Sequence, residues 1–240
     1  MALAAAARAD AVADPRLIVA LDLPSRADAD ALVERLGDAV SFYKIGLQLL
    51  AVGGMESARA LKRRGLSVFL DWKLHDIGAT VEKAAAAIAA SEAGDFITVH
   101  AEPQVLASAV KGRGRAPLKV LGVTVLTSLT TEDLTEIGYE TPVERLVERR
   151  IRQVVDAGAD GVIVSPREAA LARRIGGPEL LVVTPGVRPA WASLDDQARA
   201  ATPAHTLGEG ASHIVCGRPI TAAADPRAAA LRIAEEMAGA

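Results

Sequence analysis

The chain has 240 residues, half of them hydrophobic, which is long enough to bury one large core. Its formal charge of −3 excludes a protein that holds nucleic acid polymers by neutralising many phosphates, yet leaves room for one small anion in one local basic pocket. The lone cysteine, Cys216, excludes an intramolecular disulfide and makes the cytoplasm the expected compartment, and no apolar run reaches the roughly 20 residues of a membrane-spanning helix.

The chain opens on MALAAAARADAVADP, where Arg8, Asp10 and Asp14 interrupt the apolar residues. Without a basic stretch, a continuous apolar core and a cleavage site, it reads as a flexible leader over 1–15, followed by a single domain over 16–240. From there, short β-branched and apolar runs alternate with longer Ala-, Glu- and Arg-rich segments of helical period. The strand Leu17–Leu23 precedes the helix Arg26–Leu36, the strand Phe42–Leu47 precedes Met55–Arg64, and the strand Ser67–Lys73 precedes Thr80–Ala93. The strands Phe96–His100 and Val120–Leu126 follow, then the helix Pro142–Ala157, the strand Gly161–Ser165 and the helix Pro166–Ile175. The strands Leu181–Thr184 and His213–Gly217 complete a set of eight.

Ala93-Gly94-Asp95, Ala157-Gly158-Ala159-Asp160 and Glu209-Gly210-Ala211-Ser212 each stand before a strand. Each reads as a helix stop in which glycine takes a left-handed turn. Several strands are apolar throughout, as expected where both faces are covered. Eight strand–helix units with no second composition regime favour an α/β fold of the closed (β/α)8 TIM-barrel type, although counting alone does not exclude an open doubly wound sheet.

In such a barrel, function belongs at the carboxyl ends of the strands. The polar residues there are Asp22, Lys44, Asp71, Lys73, Asp76, His100, Thr127, Ser165, Arg188 and Arg218. Singly, each reads most simply as a loop charge or helix cap, and their joint placement is what points to a site. In the third strand, alternation sends Asp71 and Lys73 to one face and Leu70, Trp72 and Leu74 to the other. A buried ion pair would contribute little net stability after desolvation, so stability alone is a weak reason for it. Lys44 could add a second cation beside Asp71. His205 and His213 read as a helix residue and a strand-start residue, and His75 and His100 as pocket-wall residues.

The run Asp71-Trp72-Lys73-Leu74-His75-Asp76-Ile77 resembles the Asp-x-Lys-x-x-Asp signature of the orotidylate decarboxylase family. The ordered set around it extends the resemblance from about Leu17 to Pro226. That set comprises Leu21-Asp22, Lys44-Ile45-Gly46, Val123 to Ser128, Thr184 to Pro189, Asp196-Gln197 and Gly217 to Thr221. Two departures stand out: Gly78-Ala79 where many bacterial members have Pro-Asn, and His100-Ala101-Glu102-Pro103-Gln104 without the paired glycines expected after that histidine.

The resemblance implies direct, metal-free decarboxylation of orotidine 5′-phosphate to uridylate, with no cofactor. Lys73 would protonate C6 as CO2 leaves, with Asp71 holding its ammonium. Asp22 and Lys44 would bind the ribose hydroxyls, Thr127 the base, and Gly217 and Arg218 the phosphate. Arg188 and Gln197 would bracket a lid over Pro189–Asp196. The stretch from Asp71 through Gly78, Ala79 and Thr80 would line the substrate, with Asp76 and Thr80 acting in the site of a second subunit of a homodimer. The competing readings are a magnesium-dependent sugar-phosphate decarboxylase of the same superfamily, a Schiff-base aldolase, and a non-catalytic nucleotide-phosphate sensor. Lys44 and the lid argue against the first. Lys73, flanked by Asp71 and Asp76, should keep its proton and so argues against the second. A sensor would have no need for Lys44, Asp71 and Lys73 together.

Overall fold

A computed structural model describes residues 13–192 and 201–239. The eight strands are β1 (Leu17–Ala20), β2 (Phe42–Ile45), β3 (Ser67–Leu74), β4 (Phe96–His100), β5 (Lys119–Val123), β6 (Gly161–Ile163), β7 (Leu181–Pro185) and β8 (His213–Cys216). Each pairs in parallel with the next, and β1 pairs with β8 through Leu17 and Ile214, so the sheet closes into a barrel. This decides between the closed barrel and the open sheet that the strand count left open.

Several strands stop short of their expected carboxyl ends. Leu21 to Leu23 leave β1, and Leu47 starts the short helix Leu47–Leu50 rather than ending β2. The helix Arg26–Leu36 has its expected bounds, and Ser25 caps it by accepting a hydrogen bond from the Asp28 amide. The expected helix Pro166–Ile175 is a 3-10 turn, Pro166–Glu168, leading into Ala169–Gly176. Gly158 and Gly210 take the left-handed turns expected of them, at φ 67° and 97°. Gly94 does not. The turn there is made by Glu92 at φ 52°, and glycine is required at 94 because a Cβ would stand 2.7 Å from Leu70 Cδ1.

Strand alternation divides the core in two. Ile18, Phe42, Phe69, Phe96, Leu121, Ile163, Val183 and Val215 form one cluster inside the barrel. Their neighbours Val19, Tyr43, Leu70, Ile97, Val120, Val162, Val182 and Ile214 form another with the surrounding helices. The helix Val143–Asp156, for example, turns Leu146, Val147, Ile151 and Val154 inward as one apolar stripe. Asp14, inside the expected leader, pairs with Arg16 at 2.7 Å, and Arg16 also donates to the Met237 carbonyl. Residues 1–12 lie outside the described residues. No helix among the described residues is long and apolar enough to cross a membrane.

At the amino-terminal end of the barrel, the His213 ring packs edge-on against Phe42 and Phe96, at 5.8 and 5.3 Å between centroids. Burial pushes its pKa down to about 4, so it is neutral at pH 7, and its Nδ1 is buried without a hydrogen-bond partner. A histidine with a depressed folded-state pKa makes the fold lose stability as pH falls from its unfolded value near 6.5 towards 4. His213→Phe should remove up to about 3 kcal/mol of that loss, read as the difference between the two proteins' denaturation free energies at pH 7 and pH 4. Equal pH dependence in both would show that His213 is not the group responsible.

Candidate active site

A cavity of about 620 Å³ opens at the carboxyl ends of the strands. Its polar wall comes from Asp22, Lys44, Asp71 and Lys73 at the ends of β1 to β3, and from Thr127, Arg188, Gly217 and Arg218 after β5, β7 and β8. Phe69, Val123, Ile163 and Val215 form its apolar floor. The placement follows from the two-residue period of the strands. Asp22 continues the inward row Ile18 and Ala20, Lys44 follows Phe42, and Asp71 and Lys73 follow Phe69. Leu70, Trp72 and Leu74 pack outward against the helices, as the alternation required, so Trp72 and Leu74, also expected among the residues lining the substrate, do not line the cavity of their own chain.

The four charged residues alternate in sign along one contiguous chain of contacts. Lys44 Nζ lies 3.0 Å from Asp22 Oδ1 and 3.3 Å from Asp71 Oδ2, and Lys73 Nζ lies 2.8 Å from Asp71 Oδ1. Side-chain exposure is 9% for Lys44, 14% for Asp71 and 27% for Lys73 but 49% for Asp22, so the array runs from a half-exposed end at Asp22 into a mostly dry wall, with Lys73 still reaching the cavity. Burial works to raise the Asp71 pKa. The Lys44 and Lys73 ammoniums, with hydrogen bonds from Lys73 and Thr98, outweigh it and hold the carboxyl below its ordinary range. Gly46 belongs to this construction, because a Cβ at that position would collide with Asp22 Oδ1 and crowd Lys44 Nζ.

The strand that carries the array is irregular where it matters. β3 pairs with β4 at Leu70–Ile97 and again at Leu74–Val99, so Asp71, Trp72 and Lys73 stand opposite Thr98 alone. Lys73 occupies the left-handed region at φ 50°. The buried Thr98 was not among the residues expected in the site, although the inward row Phe96, Thr98, His100 on β4 carries the signal for it.

The remaining expected residues fall into two groups. Within their own chain, His75, Asp76, Ile77, Gly78, Ala79 and Thr80 do not line the cavity, and all but the half-buried Gly78 are exposed. His75 and His100 are not pocket-wall residues. Their rings lie 4.7 Å apart, tilted by 38°, neither lines the cavity, and His75 Nε2 lies 3.1 Å from Glu102 Oε2. Burial, then the neighbouring His75, lowers the His100 pKa. Glu102 also accepts from Gln104 and pairs with Arg150, which gives the unusual Glu102-Pro103-Gln104 sequence a structural role. Ser165 is fully buried on the carboxyl side of β6 and does not line the cavity.

Arg188 is buried, and its amide donates at 2.9 Å to the carbonyl of Ala201, a residue beyond the expected lid Pro189–Asp196. Trp191 near its start donates to Glu236 at 2.8 Å and lies under Arg232. Gln197 and residues 193–196 of the lid lie outside the described residues. Among the described residues, no group of three or more His, Cys, Asp or Glu side chains is arranged to hold a metal ion.

The model of the family described as "Orotidine 5′-phosphate decarboxylase / HUMPS family" matches residues 15–233. A curated relative from Caulobacter sp. (strain K31), described as orotidine 5′-phosphate decarboxylase, is 65% identical over 227 residues, covering 95% of this chain and 99% of the relative. A relative of the same description from Methylobacterium radiotolerans is 53% identical over 229 residues, covering 95% and 99%. The crystal structure of orotidine 5′-phosphate decarboxylase from Lactobacillus acidophilus matches with a TM-score of 0.81 at 37% identity, covering 93% of this chain and 99% of that one.

Removing the carboxylate that two ammoniums share should cost stability even without any ligand. Asp71→Ala is expected to destabilise the fold by about 1–3 kcal/mol, below the usual loss for a broken buried pair because Lys44 keeps Asp22 and Lys73 can turn to water. The folded-state pKa of Asp71 lies below the ordinary 3.8, so its contribution is present above that value and is lost as pH falls through the lowered one. Denaturant unfolding of both proteins at pH 7 and at pH 3 measures this. An Asp71→Ala protein as stable as the parent at pH 7 would contradict it.

Proposed function

The chain belongs to the orotidine 5′-phosphate decarboxylase / HUMPS family, and on that premise we propose that it is a carboxy-lyase converting orotidine 5′-phosphate to uridine 5′-phosphate and CO2. The observation that carries the reading is the buried Asp71 carboxylate, shared by two ammoniums of which one, Lys73, faces the cavity. The family description joins two groups, and the high identity to relatives described as decarboxylases narrows the choice between them.

The chemistry needs such an array. When the bond from C6 of the pyrimidine to the carboxylate breaks, CO2 departs and leaves the electron pair at C6, with no neighbouring carbonyl to accept it. A cation held at C6 stabilises that pair, and a proton from the same cation then replaces CO2. Lys73 has this role, and solvent returns its proton afterwards. Asp71 keeps the ammonium aimed and opposes the substrate carboxylate, two like charges about 4 Å apart costing about 4 kcal/mol at an effective dielectric of about 20.

Asp22 and Lys44 take the ribose hydroxyls, and Thr127 the base. Arg218 and the Gly217 backbone take the phosphate, for which a guanidinium offers paired donors. Arg188 and Gln197 close the lid between them, and phosphate binding supplies the energy for closure. Lys44 also bears on the magnesium-dependent alternative, because its ammonium sits between the Asp22 and Asp71 carboxylates, where a bound cation would otherwise find its two acidic ligands.

The active unit in this proposal is a homodimer in the cytoplasm, with Asp76 and Thr80 completing the partner's site. Their exposure supports this, as does the neighbouring Ile77, a large apolar side chain 72% exposed beside them.

The first test is the ultraviolet absorbance change when purified protein meets orotidylate in the presence of a metal chelator. The expected result is full turnover, whereas activity restored only by magnesium would favour the alternative. Lys73→Ala should abolish turnover while uridylate still binds, because it removes the proton donor and leaves the phosphate and ribose contacts in place. The shared site is tested by refolding inactive Lys73→Ala and Asp76→Ala chains together. With equal amounts and random exchange about half the dimers are hybrids, each with one site lacking both groups and one native site, so activity should return to about a quarter of the parent's. Hybrids verified by mass that stay inactive would place Asp76 outside the partner's site.

A further inference from the structure

Thr98 has no place in the chemistry above, yet its hydroxyl sits at the centre of the array's backbone. Facing the widened stretch of β3, it accepts a hydrogen bond from the Lys73 amide at 2.9 Å and donates to Asp71 Oδ1 at 3.0 Å. Asp71 Oδ1 is also the oxygen that holds the Lys73 ammonium, at 2.8 Å. The contacts therefore close a ring that runs from the Lys73 amide through Thr98 and Asp71 to the ammonium of the same lysine.

Where β3 is regular, its odd-numbered residues turn their amides to β2, as Ser67 does to the Ser41 carbonyl, and its even-numbered residues face β4, as Val68 does. Through the register shift the Lys73 amide turns to β4 instead, where the Thr98 hydroxyl accepts it. This contact has a directional consequence. Once the oxygen accepts from the amide, its proton is turned to the nearest strong acceptor, the carboxylate. The same ring offsets the cost of a conformation that a lysine rarely adopts. Among the described residues only Lys73 and Glu92 combine a side chain with positive φ, and Glu92 merely ends a helix whereas Lys73 lies inside a strand.

We propose that Thr98 is a positioning residue for the decarboxylation, its hydroxyl holding the left-handed backbone of Lys73 and the carboxylate that aims the Lys73 ammonium at the substrate. The inference rests on the proposed function for its kinetic consequence but not for its structural one. Thr98 is fully buried behind the array and does not line the cavity, so it reaches the reacting atoms only through Asp71 and Lys73.

Thr98→Val keeps the shape and removes both hydrogen bonds, and Thr98→Ser keeps the hydroxyl. With orotidylate as substrate, Thr98→Val should lower kcat by about ten- to a hundredfold while KM, and the affinity for uridylate, stay within about threefold. Thr98→Ser should recover most of the lost kcat. A merely structural role would move stability and binding along with kcat. If Thr98→Val folds poorly, Thr98→Ala, which leaves space for a water, reads the same split.

A crystal structure of the folded non-hydroxyl variant gives an answer independent of substrate, with Lys73 expected to leave positive φ and its ammonium to move off Asp71 Oδ1. Unchanged kcat in an active background, or an unchanged Lys73 backbone and ammonium, would overturn the proposal. Failure of the parent protein itself to turn over orotidylate would instead remove the functional reading, leaving the structure of the variant to decide the role of Thr98.

Discussion

Two ammoniums on one buried carboxylate is the constraint from which the rest of this site follows. Asp71, at 14% exposure, is held below the ordinary carboxylate range by the flanking Lys44 and Lys73 against the opposing effect of burial, and both ammoniums contact it. The three groups come from two neighbouring strands, and the fourth charge, Asp22, from the strand beside them. Barrel closure is what brings these strand ends to one mouth, and Gly46 leaves open the space beside Asp22 Oδ1 and Lys44 Nζ.

The molecule separates stability from chemistry along the barrel axis. Its amino-terminal and middle layers are aromatic and aliphatic, and the one ionisable ring among them, His213, is kept neutral by burial. The carboxyl-terminal mouth carries the alternating charge array and the irregular backbone. Such an arrangement keeps that array away from the barrel layers that supply much of the hydrophobic stabilisation. It also confines strain to one strand end, where Thr98 and Asp71 compensate for it.

A second polar cluster stands beside the mouth. His75, His100, Glu102 and Arg150 contact one another, and Arg150 also donates to the Ala101 carbonyl and to the Tyr139 hydroxyl. Since His75 directly precedes Asp76, this cluster restrains the segment that the proposed function assigns to a neighbouring subunit. Glu102, in the stretch after His100 that departs from the family pattern, joins the cluster's members through His75 and Arg150. The departure thus replaces glycine freedom with a network of side-chain contacts.

Local physics was enough to read much of this from the chain. Two-residue alternation in Ser67 to Leu74 placed Asp71 and Lys73 on one face and Trp72 on the other, and the apolar strands between amphipathic helices called for a sheet covered on both sides. What alternation could not supply was pairing. Whether the sheet closes depends on β1 meeting β8 across nearly the whole chain, and the gap in the β3–β4 ladder depends on which residues of two strands face each other. For this reason the bond from the Lys73 amide to Thr98 was not legible, although alternation alone sets Thr98 on the inward row of β4. For the same reason His75 and His100 were assigned to a pocket wall when their rings turn to each other and to Glu102. Sequence by itself determined the kinds of group present and the face each strand gives them, because those depend on neighbours along the chain. Tertiary structure decided the register, the left-handed Lys73 and the sharing of one carboxylate by two lysines, because those depend on distances between residues that the chain brings together only when the barrel closes.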